Sequence, residues 1–296
     1  MAGLGVIARE RRAAFLFTAP AIFCMAVVAF YPILWALYLS LHRRLPIFGI
    51  SKFIGLRNYI FLAQDTRFWN AFFNTLYFTL VSVALEFILG LAIALVLHQA
   101  FRGRGWVRAA VLIPWAIPTV VSARMWEWIY NSDFGVLNYL LVSASIISTK
   151  LNWLGDSALA MHAAIMVDVW KTTPFVALLL LAGLQFIPQD LYRAAQVDGA
   201  GPLTSFRHIT LPMLKPAILV VLLFRTLDAF RIFDAVYILT GGGPANTTET
   251  LSIYSYKLLF QTLQFGYGSA VAVVTFVSVM VISFFYIRVL AGVREG

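Results

Sequence analysis

QDLYRAAQVDGAGPLTSFRHITLP, residues Gln189 to Pro212, is a polar interlude set between two apolar runs that are each long enough to cross a bilayer. It has an internal design: the small pair Ala194 and Ala195, a turn at Asp198-Gly199-Ala200, a second short amphipathic segment, then Ile209-Thr210-Leu211-Pro212. A loop that only joined two helices would not need so much local structure, and the rest of the chain is arranged around it.

Composition sets the class. Of 296 residues, 61% are hydrophobic and 12% charged, and the mean hydropathy is +0.85. That is the balance of a polytopic membrane protein, not a soluble domain. The net charge of +9 comes from basic residues scattered through short connections, which fits membrane topology and anionic headgroups better than nucleic acid. The single cysteine, Cys24, lies in an apolar run, so neither an internal disulfide nor a cysteine metal site is available.

Six spans are predicted: Phe15 to Leu41, Phe72 to His98, Ala109 to Tyr130, Ala158 to Ala182, Pro216 to Ile238 and Tyr267 to Leu290. Arg9, Arg11 and Arg12 precede the first, and no small-residue cleavage site follows it, so it is expected to be a retained helix. With the N-terminus inside, the inner segments carry eleven Lys and Arg and the outer ones seven. The first outer loop, with Arg43, Arg44, Lys52, Arg57 and Arg67, is the main exception to that bias. This orientation puts both termini and the 189–212 loop in the cytoplasm. Residues 136–147 are too short to span and are expected to form a surface helix, while Thr240-Gly241-Gly242-Gly243-Pro244 closes the fifth span sharply.

Charges inside the spans carry the next layer. Asp168 and Lys171 share a face of the fourth span, and Arg225, Asp228, Arg231 and Asp234 recur every three residues in the fifth. Each would cost about 2.5 to 3.5 kcal/mol at the bilayer centre, so lipid-facing placement is disfavoured. Two readings stand: ion pairs that only fix packing, or groups lining a polar solute path. Lys171-Thr172-Thr173-Pro174 favours the second, because the proline frees backbone carbonyls beside two hydroxyls. Arg124 and Glu127 read as a local pair, and Glu86 stands alone in the second span. The chain has no P-loop for ATP, no metal-ligand spacing among its four histidines and no G-x-S-x-G elbow.

The central stretch resembles the EAA loop of the membrane subunits of binding-protein-dependent ABC importers. The pattern E-A-A, three residues, Gly, nine residues, I-x-L-P is met by Arg193-Ala194-Ala195, Gly199, Ile209, Leu211 and Pro212, with Arg193 in place of the usual Glu. Arg102-Gly103-Arg104-Gly105, Leu112-Ile113-Pro114, Pro118 and the segment Phe233 to Pro244 are similar to carbohydrate permeases of the maltose and glycerol-phosphate type. Asp168-Val169-Trp170-Lys171-Thr172-Thr173-Pro174-Phe175 and Phe224 to Asp234 look most like the permease subunit of trehalose importers.

The resemblance implies an all-α polytopic protein of type I ABC importer permease fold, with a cytoplasmic segment over 1–14 and a six-helix permease domain over 15–296. It implies a place in a bacterial or archaeal cytoplasmic membrane, among lipid, and no catalytic residue, metal or cofactor in the chain itself. The implied partners are a second homologous permease, a dimer of ATPase subunits that bind ATP and Mg, an external sugar-binding protein and a sugar such as trehalose or maltose. Arg193, Ala194, Ala195, Asp198, Gly199, Ile209, Leu211 and Pro212 would couple to the ATPase, with Arg193 meeting an acidic or neutral group. Asp168, Lys171, Thr172 and Phe175, with Arg225, Asp228, Ala229 and Ile232, would bind sugar or line the pore. A proton-coupled secondary transporter using Asp168 or Asp228 is the alternative. A membrane-embedded enzyme is disfavoured, because no nucleophile or metal constellation is present.

Overall fold

The computed structural model describes the backbone of residues 2–295 and the side chains of residues 12–292. The side chains of Arg9, Arg11 and Arg294, counted for the orientation, lie outside the described residues, as do Met1 and Gly296. Among the described residues five helices are long and apolar enough to cross a membrane, and a bent pair brings the number to six. The described chain divides into two compact units.

The first unit gathers the residues up to Asp65 with Ser255–Val274. Helix α1 (Ala2–Met25) passes through a wider π turn at Ala26–Phe30 into α2 (Tyr31–Ser40). An antiparallel hairpin follows, β1 (His42–Leu45) on β2 (Ile50–Phe53), in a chain that is otherwise helical among the described residues. Its reversal rests on Pro46–Phe48 and on Gly49 at φ +62°, a left-handed conformation that glycine adopts without penalty. Helix α3 (Arg57–Gln64) is fastened to the hairpin by Asn58, whose Nδ2 donates to the carbonyls of Ser40 and His42 at 2.7 and 3.0 Å.

The second unit holds Thr66–Tyr254 and the residues from Thr275 on. Helix α4 (Thr66–His98) runs 33 residues, about 50 Å at 1.5 Å per residue, and exceeds the hydrocarbon thickness. The third span is not straight. Helices α5 (Arg104–Ala116) and α6 (Thr119–Ile129) meet at 91°. Pro118 is the cause, since it drives the residue before it, Ile117, to an extended ψ of 133°. The short α7 (Val136–Ser143) is the surface helix read from the sequence, and α8 (Leu159–Gln185) forms the fourth span.

Helices α9 (Gln189–Val197) and α10 (Pro202–Ser205) make up the central loop, and α11 (Leu211–Phe230) the fifth span. The apolar span extends from Pro202 to Thr240 and so contains the expected Pro216 to Ile238, but its helix is interrupted inside it. Arg231, Ile232 and Phe233 break the helix, and α12 (Asp234–Thr240) starts afresh. The freed carbonyl of Ile232 accepts the Thr250 hydroxyl at 3.1 Å, so an outside polar partner replaces the helical bond. The charged row of the fifth span is therefore interrupted after Asp228. Helices α13 (Leu251–Tyr256) and α14 (Phe265–Glu295) complete the chain.

Helix α4 packs along α8 and buries small and hydroxyl residues, including Ala71, Thr75, Ser82, Gly90 and Ala94. At Gly90 the approach is so close that an added Cβ would stand 2.5 Å from Val176 Cγ1. Gly183 plays the same part between α8 and α11, where a Cβ would meet Ala217 at 2.6 Å. Apolar clusters around Leu180, Leu184 and Leu214, and around Val167, Phe78 and Val236, seal the three helices on either side of the buried charges.

Candidate functional site

Two polar constructions stand out in the second unit. The first is a charge cluster inside the helix packing. Arg225 of α11 donates from Nε to Glu86 Oε2 at 2.5 Å and from Nη2 to Glu86 Oε1 at 2.9 Å. Its Nη2 also reaches Asp168 Oδ2 at 3.1 Å, and Nη1 reaches Asp228 Oδ2 at 2.7 Å. The Thr172 hydroxyl lies 2.7 Å from Glu86 Oε1 and 2.6 Å from the Asp168 carbonyl, and its one proton serves one of them at a time.

Burial differs sharply within this cluster. The Glu86 side chain is fully buried and that of Arg225 is 4% exposed, whereas Asp228 is 60% exposed. Arg231 Nη2 lies 3.8 Å from Asp228 Oδ1 and is itself exposed. The inner part therefore locks α4, α8 and α11 together, and the outer part, Asp228 with Arg231, leaves opposite charges exposed. Ion pairing thus accounts for the inner residues, while Asp228 and Arg231 form an exposed pair of opposite charge.

The remaining expected contacts go elsewhere. Lys171 does not pair with Asp168. Its Nζ donates to the Ile117 carbonyl at 2.6 Å and lies 3.4 Å from that of Trp115. These carbonyls end α5 and are released by the bend at Pro118, so Lys171 caps a broken span. Phe175, one turn on, stacks against Trp115 with centroids 5.7 Å apart. Ala229 is 1% exposed inside the core and presents no surface, and Ile232 sits in the break after α11. Arg124 and Glu127 do pair, at 2.6 Å.

Sequence reasoning missed a further pair. Arg67 at the start of α4 grips the fully buried Glu249 with two hydrogen bonds, Nε to Oε2 at 2.7 Å and Nη2 to Oε1 at 2.8 Å. Asn74 donates to the carbonyls of Asn246 and Glu249 in the same loop. The segment after the glycine run is thereby tied to α4. A lone Glu in a Thr-rich stretch was the available signal, but nothing local identifies its partner.

The second construction is the 189–212 loop. Helix α9 ends at Val197, and Gly199 at φ +78° turns the chain toward Pro202, the first residue of α10. No neighbour lies within 4 Å of a Cβ added at Gly199, so only the backbone conformation demands glycine there. The Tyr192 hydroxyl and Thr210 Oγ1, 2.9 Å apart, close the base of the loop. Ile209 packs against the apolar cluster of Leu180 and Leu214, and Leu211 and Pro212 open α11. Ala194 and Asp198 are exposed and Ala195 half-buried. Val197 is 88% and Leu203 78% exposed, an apolar pair that nothing in the described chain covers. Arg193 pairs with Asp190 of its own helix at 3.0 Å, both largely in solvent.

Residues 86–294, which include the loop and every residue of the charge cluster, match the family of binding-protein-dependent transport system inner membrane components. The chain belongs to that family. This permease is 44% identical to the trehalose/maltose transport system permease protein MalF of Thermococcus litoralis, over 95% of its own length and 94% of the relative's. It is 47% identical to the trehalose transport system permease protein SugA of Mycobacterium tuberculosis, over 97% and 91% of the two chains. Its fold is that of a bacterial ABC transporter involved in the import of the acidic polysaccharide alginate, with a TM-score of 0.83 and 24% identity over 97% of this chain and 98% of the other.

Proposed function

We propose that this permease carries a disaccharide of the trehalose or maltose kind and forms half of the path through which it moves. The observation that carries the reading is the 44 to 47% identity, nearly end to end, to permeases named for those sugars. A second homologous permease would supply the other half, and an external binding protein would deliver the sugar. ATP and Mg would be bound by a dimer of separate ATPase subunits, and both termini would lie in the cytoplasm.

The loop supports the coupling role. Val197 and Leu203 are exposed at the ends of two short helices whose angle Gly199 sets, a shape suited to lodging in a cleft of the ATPase. Arg193 already has Asp190 as a neighbour, so an acidic or neutral group of the ATPase could share it. Asp228 and Arg231 supply hydrogen-bonding groups for sugar hydroxyls at the exposed edge of the cluster. ATP-driven closure of the ATPase would draw the two coupling loops together and open the path outward, and hydrolysis would reset it.

The test is uptake by the complete transporter in proteoliposomes with labelled trehalose, maltose and glycerol phosphate. Saturable uptake of a disaccharide is expected. Uptake of glycerol phosphate alone would reject the substrate class while leaving the ATP-coupled mechanism intact.

A further inference from the structure

The first unit contains a groove of about 990 Å³ with Arg43, Arg44, Lys52 and Arg57 along it. The one carboxylate lining it, Asp65, accepts the Tyr267 hydroxyl at 2.6 Å. None of the four cationic side chains has an ion-pair or side-chain hydrogen-bond partner among the described residues. Two of them face each other: Arg43 stands directly opposite Lys52 across the hairpin. Like charges in that position destabilise a strand pair unless an anion lies between them.

The groove is built, not frayed. Asn58 holds α3 to the hairpin, and the Ser40 and Tyr59 hydroxyls meet at 2.7 Å. Gly266, in the first turn of α14, approaches so closely that an added Cβ would run into the His42 carbonyl.

Its depth in the membrane is also marked. The first span ends at Ser40, two residues before the hairpin. Trp35 and Tyr38, exposed in its last turns, are the aromatic side chains that favour the headgroup level. At the hairpin tip Ile47 and Phe48 are 66% and 73% exposed. Cations beside exposed apolar residues at the end of a span match a lipid headgroup with its acyl chains below. This placement holds whichever side of the membrane the hairpin occupies.

We propose that this groove binds the phosphate of an anionic lipid headgroup, with Ile47 and Phe48 set among the acyl chains. The full chain, purified in neutral detergent, is titrated with phosphatidylglycerol while its thermal unfolding midpoint is followed. Parallel titrations use phosphatidylcholine and inorganic phosphate. A saturable rise with phosphatidylglycerol alone is expected, with half-saturation shifted about fivefold for each cation removed in Arg43→Gln, Lys52→Gln and Arg57→Gln. In the unaltered chain 1 M NaCl is expected to weaken the response, which keeps the proposal testable should a variant fail to fold.

An unchanged half-saturation in all variants, or an equal response to phosphatidylcholine, would overturn the proposal. An equal response to inorganic phosphate would assign the groove to a free phosphoryl anion instead. If Lys52→Gln abolished binding-protein-dependent uptake in phosphatidylcholine vesicles and left the phosphatidylglycerol response intact, the groove would be a protein docking surface.

Discussion

Arg225 and Glu86, 139 residues apart, are joined by two hydrogen bonds of 2.5 and 2.9 Å between side chains almost wholly removed from solvent. A guanidinium held this way by Glu86, Asp168 and Asp228 fixes the relative rotation of three helices. Removing one partner of a buried pair leaves the other uncompensated. Arg225→Met is expected to cost about 3 to 5 kcal/mol in denaturant unfolding of the purified permease. Combined with Glu86→Met it should cost clearly less than the sum of the single changes, and strict additivity would show that the pair does not interact energetically.

Lys171 predicts a different outcome. It holds the carbonyls at the end of α5, so Lys171→Met leaves the part-buried Ile117 carbonyl without this donor at a cost of about 1 kcal/mol. The bend should loosen as well. A cysteine placed at Ile117 is expected to react faster with a small thiol reagent in the Lys171→Met background, while Lys171→Arg restores the slow rate.

Gly90 offers a steric test of the α4–α8 contact. The Cβ of Gly90→Ala would stand 2.5 Å from Val176 Cγ1, a clash expected to cost about 1 to 3 kcal/mol. Val176→Ala removes the colliding Cγ1 and leaves the milder approach of the Val176 Cβ at 2.9 Å. The double variant should therefore be more stable than the two separate losses predict, as read from unfolding midpoints.

At Gly199 the backbone alone is at stake. With φ at +78° and open space around it, Gly199→Val strains the turn by about 1 to 2 kcal/mol without disturbing packing. Expected in proteoliposomes is normal assembly with ATPase activity that no longer responds to sugar-loaded binding protein.

The spans were legible because apolar runs of membrane length dominate the composition, and the loop because its small residues, glycine and proline sit at a fixed spacing. The breaks were not. Pro118 lies inside an apolar run, so a hydropathy reading continues across the 91° bend that it causes. The stop at Arg231 has neither glycine nor proline to announce it, and it is sustained by Thr250 from a distant loop. The hairpin at His42–Phe53 is short and rich in charge, with little alternation to mark it.

The charged site was half legible for a related reason. Spacing of three placed Arg225 and Asp228 together correctly, because that contact is local. Spacing also joined Asp168 to Lys171, where the fold sends each to a different helix. Glu86 and Glu249 had no local pattern at all, and their partners are defined only once the helices pack.

We propose that this permease couples ATP hydrolysis in a separate subunit to sugar movement through the 189–212 loop. Trehalose uptake by the complete transporter in proteoliposomes, with the loop carrying Val197→Asp and Leu203→Asp, tests it most directly. Uptake by the unaltered transporter is expected to require ATP and to withstand collapse of the proton gradient, and to be lost in the loop variant although the permease remains folded in the membrane. Uptake that proceeds without ATP, or that survives both loop changes, would contradict it.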